Sequence, residues 1–229
     1  MFTLRSPLSP MVWSATGYVQ INQGFGENAN DFYRQLGLKG HNGLDLNTTI
    51  QWQKGEAPVL AAHDGYVISD AIGQKDTAGR FVKLLTDEIE IEGRQCKVMT
   101  LYFHLKKARV SVTDDPHSVW FDYGSRLGKT RYIQAGSMIG LSDNTGEYTT
   151  GSHLHFGMYI LWKKEDGTYQ VDSSNGYGGA VDPLPYIQDG FAYCEPQGWF
   201  VPAWYFTNGK RIDRPTWSKI CQQYLKTHS

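Results

Sequence analysis

Gly151-Ser152-His153-Leu154-His155-Phe156 decides the reading of this chain. On a strand, alternation puts both imidazoles on one face and turns Leu154 and Phe156 to the other. The two histidine α-carbons then lie roughly 7 Å apart, close enough to serve one metal ion or one reacting group. A polar sheet edge would carry the same pair, so the segment alone points to a strand without fixing a role. The strand is expected over residues 153–161.

Two other segments bear on it. In Gly40-His41-Asn42-Gly43-Leu44-Asp45-Leu46, a His and an Asp stand four residues apart. A regular strand would hold them about 13 Å apart, too far to share an ion through bonds near 2 Å. Asn42 and Gly43 are poor helix interiors, and no helical period surrounds them. Gly43 reads instead as the residue that lets the backbone curl until both side chains converge. Leu101-Tyr102-Phe103-His104-Leu105 sets another His in an apolar, strand-like run, with Tyr102 and His104 on one face by alternation. A buried structural His is the plain alternative there.

The remainder is β-rich. Residues 18–22, 81–85 and 97–104 read as strands separated by glycine and aspartate turns, and residues 31–36 as a short helix. An antiparallel all-β body follows. Past about residue 190, residues 204–212 read as a hairpin, because Asn208-Gly209 suits a type I′ turn. Trp217, Ile220, Cys221, Tyr224 and Leu225 then follow helical spacing. The expected division is a domain over 1–190 and a hairpin-helix tail over 191–229 packed on it, with a binding appendage as the alternative for the tail.

A net charge of −1 over 229 residues supplies no basic excess for nucleic acid. No apolar run approaches membrane-spanning length. Cys96, Cys194 and Cys221 lack the spacing of a disulfide framework or a second metal site. His63, His117 and His228 have no metal-spaced partner and read as surface residues.

Taken together, the three segments resemble the lysostaphin-like (LytM-type) zinc endopeptidases, a family of peptidoglycan hydrolases. That family carries a His-x-x-x-Asp early, a His in a Tyr-x-His-Leu context and a His-x-His late. Residues 55–62, Asp64-Gly65-Tyr66-Val67, residues 135–140, Asp143-Asn144-Thr145-Gly146 and Val181-Asp182-Pro183-Leu184 also fall where the family has similar runs. The resemblance covers roughly residues 15–188. It implies an antiparallel split barrel or sandwich of the duplicated hybrid motif type, with a groove across a sheet.

It further implies that His41, Asp45 and His155 hold one Zn2+, leaving a fourth position open for water. His153 and His104 would be catalytic residues beside the metal, with His153 as the general base. Tyr102, Asn144 and Thr145 are candidate substrate contacts, and Thr149 and Thr150 stand near them. Ordinary turn chemistry accounts equally well for the four loop residues. Ser152 and Gly157 replace the family's common Pro and Glu, and neither position is a ligand.

The activity implied is hydrolysis of peptide bonds in peptidoglycan stem peptides or cross-bridges, by a monomer acting at the cell wall. Residues 1–7 show no signal-type apolar core, so either a signal lies outside this chain or export follows another route, such as a phage particle or lysis system. A non-catalytic wall- or partner-binding member of the same fold is the first alternative, although such members usually lack a site residue and all five are present. A non-haem iron oxygenase also uses two His and one carboxylate, but leaves His104 and His153 without a purpose.

Overall fold

A computed structural model describes residues 2–8, 19–28, 31–48, 56–70, 78–108, 119–122, 127–147, 149–187 and 191–193. In chain order the strands and helix are β1 (Val19–Gln23), α1 (Phe32–Gln35), β2 (Leu44–Asn47), β3 (Pro58–Leu60), β4 (Gly65–Asp70), β5 (Arg80–Leu85) and β6 (Ile89–Ile91). They continue as β7 (Arg94–Ala108), β8 (Val119–Asp122), β9 (Leu127–Thr130), β10 (Tyr132–Ile133), β11 (Met138–Ser142), β12 (His153–Lys163), β13 (Tyr169–Val171), β14 (Ala180–Val181) and β15 (Phe191–Tyr193). The fold is all-β and mostly antiparallel. The expected C-terminal hairpin and helix, with Cys194, Cys221, His117 and His228, lie outside the described residues. No described helix is long and apolar enough to cross a membrane.

One sheet runs β10-β4-β5-β7-β12-β2-β1-β15, and the β1–β15 pair is parallel. Its centre is β7 against β12, paired from His155 with Phe103 to Trp162 with Cys96. The far end of β7 also takes β11, which leads on to β3, so the sheet splits there. On β12 the core-facing residues are Leu154, Phe156, Met158 and Ile160, all buried. On β7 they are Cys96, Val98, Thr100 and Tyr102. This two-residue period drives both strands onto one apolar core.

The period slips once, at His104. Leu105 is the next fully buried residue after Tyr102 on the core side, leaving an extra residue between them. Across on β5, Arg80 faces Leu105 and Val82 faces Tyr102, so the register shifts by one. His104 takes a positive φ of 63°. A bulge of this kind re-aims a side chain, at a backbone cost of about 1–3 kcal/mol.

Candidate metal centre

Three neighbouring strands carry most of the site. On β12, His155 lies opposite Asp45 of β2 on one side and Phe103 of β7 on the other. His41 sits just ahead of β2. Its Nε2 lies 3.1 Å from Asp45 Oδ1 and 3.0 Å from His155 Nδ1, and His155 Nδ1 lies 3.1 Å from the same Oδ1. Ligands about 2.0 Å from zinc in a tetrahedral site stand roughly 3.3 Å apart, so this triangle is close to the size required.

The expected convergence of His41 and Asp45 is met, but Gly43 serves it differently from the sequence reading. Its φ is not among the positive ones. What Gly43 provides is room: a Cβ there would meet Phe156 O at 2.7 Å and the His155 ring at 2.8 Å. A side chain would push the turn off the very histidine it must approach.

The protonation pattern follows from main-chain carbonyls, which can only accept. His41 Nδ1 donates to Gly24 O at 3.2 Å, His153 Nδ1 to Gly151 O at 2.7 Å, and His104 Nδ1 to Thr145 O at 2.8 Å. In the neutral rings each Nε2 is then a lone-pair acceptor. The His41 Nε2 lone pair and Asp45 Oδ1 therefore converge with His155 Nδ1, an arrangement that needs a proton or a cation among the three atoms. A divalent cation fits that donor set, and the residues present suit zinc.

His153 Nε2 is 3.6 Å from Asp45 Oδ1, and the His104 ring lies 4.7 Å from the His153 ring, centre to centre. Burial alone would raise the Asp45 carboxyl, but with a proton among the three groups, hydrogen bonds and charge from His155 and His41 hold it well below the usual carboxylate range. Burial pushes His104 down to about 4, aided by His153 beside it. Burial also lowers His155, against the pull of Asp45.

Two of the expected substrate contacts are placed elsewhere. Tyr102 is fully buried, its hydroxyl accepting from Ala62 N at 2.8 Å and bonded to Thr100 Oγ1 at 3.0 Å, so it belongs to the core. The bulge separates it from His104, which alternation alone would have put on the same face. Thr145 spends its hydroxyl on the sheet backbone, donating to Leu105 O and accepting from Arg80 N. Asn144 is exposed, and its Oδ1 accepts from the Thr149 hydroxyl, which also lies 3.3 Å from His153 Nδ1. His63 is buried rather than on the surface, its Nδ1 donating to Asp64 O and its Nε2 bonded to Thr100 Oγ1.

Two residues the sequence reading passed over complete the surroundings. Phe103 stacks on the His155 ring at 5.4 Å and 18°. Tyr33 of α1 lies 5.5 Å from the His41 ring, centre to centre, and its hydroxyl donates to Gln23 Oε1 at 2.9 Å. Burial, then the Asp45 charge, pushes that hydroxyl well above its ordinary value. Nothing local in the sequence marks Tyr33, because its place depends on how the chain returns to His41.

The sheet thus presents two imidazoles and a carboxylate at one point, with two more imidazoles alongside, as a candidate metal centre. Residues 39–172 match Peptidase family M23, and the chain belongs to that family. All five residues of the centre fall inside the match. The chain is also similar to an uncharacterized metalloprotease of Buchnera aphidicola subsp. Baizongia pistaciae (strain Bp), 27% identical over 120 residues. That likeness covers 52% of this chain and 23% of the relative, so the chain spans about a quarter of the relative's length. Among solved structures, LytU is 26% identical with a TM-score of 0.43, covering 73% of this chain and 83% of its own. Helicobacter pylori Csd3 is 19% identical with a TM-score of 0.40, covering 99% and 41%.

Proposed function

We propose that this chain is a zinc-dependent endopeptidase that hydrolyses peptide bonds in peptidoglycan stem peptides or cross-bridges. The convergence of His41 Nε2, Asp45 Oδ1 and His155 Nδ1 beside two further histidines carries this reading. His41, Asp45 and His155 would hold the ion. Bound there, zinc supplies a Lewis acid for the scissile carbonyl and lowers the pKa of water toward about 7.

The chain's own groups do the rest. His153, the nearer of the two flanking histidines to Asp45 Oδ1, takes a proton at Nε2 while Gly151 O keeps its Nδ1–H in place. His104 is neutral at rest because burial disfavours its charge. The proton that His153 takes from water passes to His104 Nε2, the two rings lying 4.7 Å apart centre to centre. His104 so charged is a strong acid that gives it to the departing amine or donates it to the oxyanion. Phe103, stacked on His155, helps to keep water from one side of the centre.

The test is mass spectrometry of fragments released from purified peptidoglycan by the zinc-loaded protein, with a chelated control. New amino termini that vanish on chelation support the reading and identify the bond. Zinc-loaded protein that releases nothing from chemically diverse walls overturns it and favours a binding role.

A further inference from the structure

Thr145 makes more bonds than a turn residue needs. Its hydroxyl donates to Leu105 O at 2.8 Å on β7 and accepts from Arg80 N at 3.1 Å on β5. Its carbonyl accepts from His104 Nδ1 at 2.8 Å. A single residue thus ties two strands together beside the bulge and also holds the ring that the bulge presents. The neighbouring backbone is shaped for this approach. A Cβ on Gly79, whose φ is +66°, would fall 2.3 Å from Thr145 O and 2.5 Å from Oγ1. The His104 main chain is tied as well, its N–H to Ala78 O at 3.1 Å and its carbonyl to Asp143 N at 3.0 Å.

We propose that Thr145 is a positioning residue for His104. Its hydroxyl staples the loop to β5 and β7, so that its carbonyl keeps the His104 proton on Nδ1 and leaves Nε2 available. A threonine that lined a groove would offer its hydroxyl to the ligand; this one gives both bonding directions to the sheet backbone. Serine can make the same bonds, whereas valine keeps the shape without them. The inference rests on the reading of His104 as a catalytic residue.

The test uses Thr145→Val and Thr145→Ser in the full chain, with Thr145→Ala as a second variant if valine prevents folding. Histidine side-chain 15N NMR, with and without zinc, reads the His104 tautomer, and kinetics on soluble peptidoglycan fragments read the rate. Valine is expected to lower kcat about ten-fold, a part of the roughly 10²–10⁴-fold that a positioned acid or base contributes. KM and zinc content should hold, and the His104 signal should change from one tautomer to a mixture. Serine should bring back both the rate and the single tautomer. An unchanged His104 signal in the valine and alanine variants overturns the proposal, as does a raised KM with kcat intact. If the wild type cleaves no peptide, the proposed activity fails, while the NMR comparison still decides the role of Thr145.

Discussion

His41, Asp45 and His155 differ from His104 and His153 in what their polar atoms meet. The first three point at one another, and the second two stand to the side, each with Nδ1 anchored to a carbonyl. Alanine at position 41, 45 or 155 should therefore abolish zinc retention and activity together. Alanine at 104 or 153 should keep zinc, measured by elemental analysis, and lose about 10²–10⁴-fold in rate. Loss of metal from the His153 variant would show that the ligand of the pair is wrongly chosen. Gly157 offers a gain instead of a loss: a Cβ there meets ordinary contacts, with His155 Nε2 at 3.8 Å. A carboxylate orienting a ligand histidine typically matters 10–100-fold for affinity, so Gly157→Glu should tighten zinc binding by about ten-fold in a competitive chelator titration. The clustering of His41, Asp45 and His155 was legible in the sequence because few side-chain types bind metal and their order is distinctive. Tyr33 was not, since no local pattern ties α1 to His41.

Among the elements, β7 and β12 were legible as strands because their apolar residues alternate against the same core. The structure extends both by a few residues, to Arg94–Ala108 and His153–Lys163. What periodicity hides is a slip in its own phase. The extra residue at His104 turned Tyr102 from an expected site residue into a core one, and the pairing with β5, the burial of Leu105 and the positive φ of His104 reveal it. Tyr102→Phe should accordingly leave KM unchanged while costing about 1–3 kcal/mol in denaturant unfolding, since the Ala62 N–H loses its buried acceptor. A rise in KM with stability intact would return Tyr102 to the site. The close approach of the turn before β2 to β12 is a separate demand. Gly43→Ala should displace His41 from His155, and zinc loss without unfolding, followed by far-UV circular dichroism, is the expected outcome.

For the whole molecule, acid stability depends in part on a buried histidine outside the expected metal centre. Burial pushes His63 down to about 4 from an ordinary 6.5. The unfolded chain therefore takes up that proton first as pH falls, so His63 contributes a decline on the order of 3 kcal/mol between about pH 6.5 and pH 4, beside that of His104, which is pushed down to the same value. Urea midpoints at both ends of that window should differ less for His63→Gln than for the wild type; equal differences would assign the acid sensitivity to other groups. The anchoring of the site histidines has a different consequence, for mutational tolerance. The acceptors that set His41, His104 and His153 are the carbonyls of Gly24, Thr145 and Gly151. Every amino acid carries that oxygen, so no single codon change can delete it. Variation can drift through positions 24 and 151 for as long as the backbone stays where it is, whereas at 145 the hydroxyl is what keeps it there; the site then fails by displacement rather than by the loss of a partner.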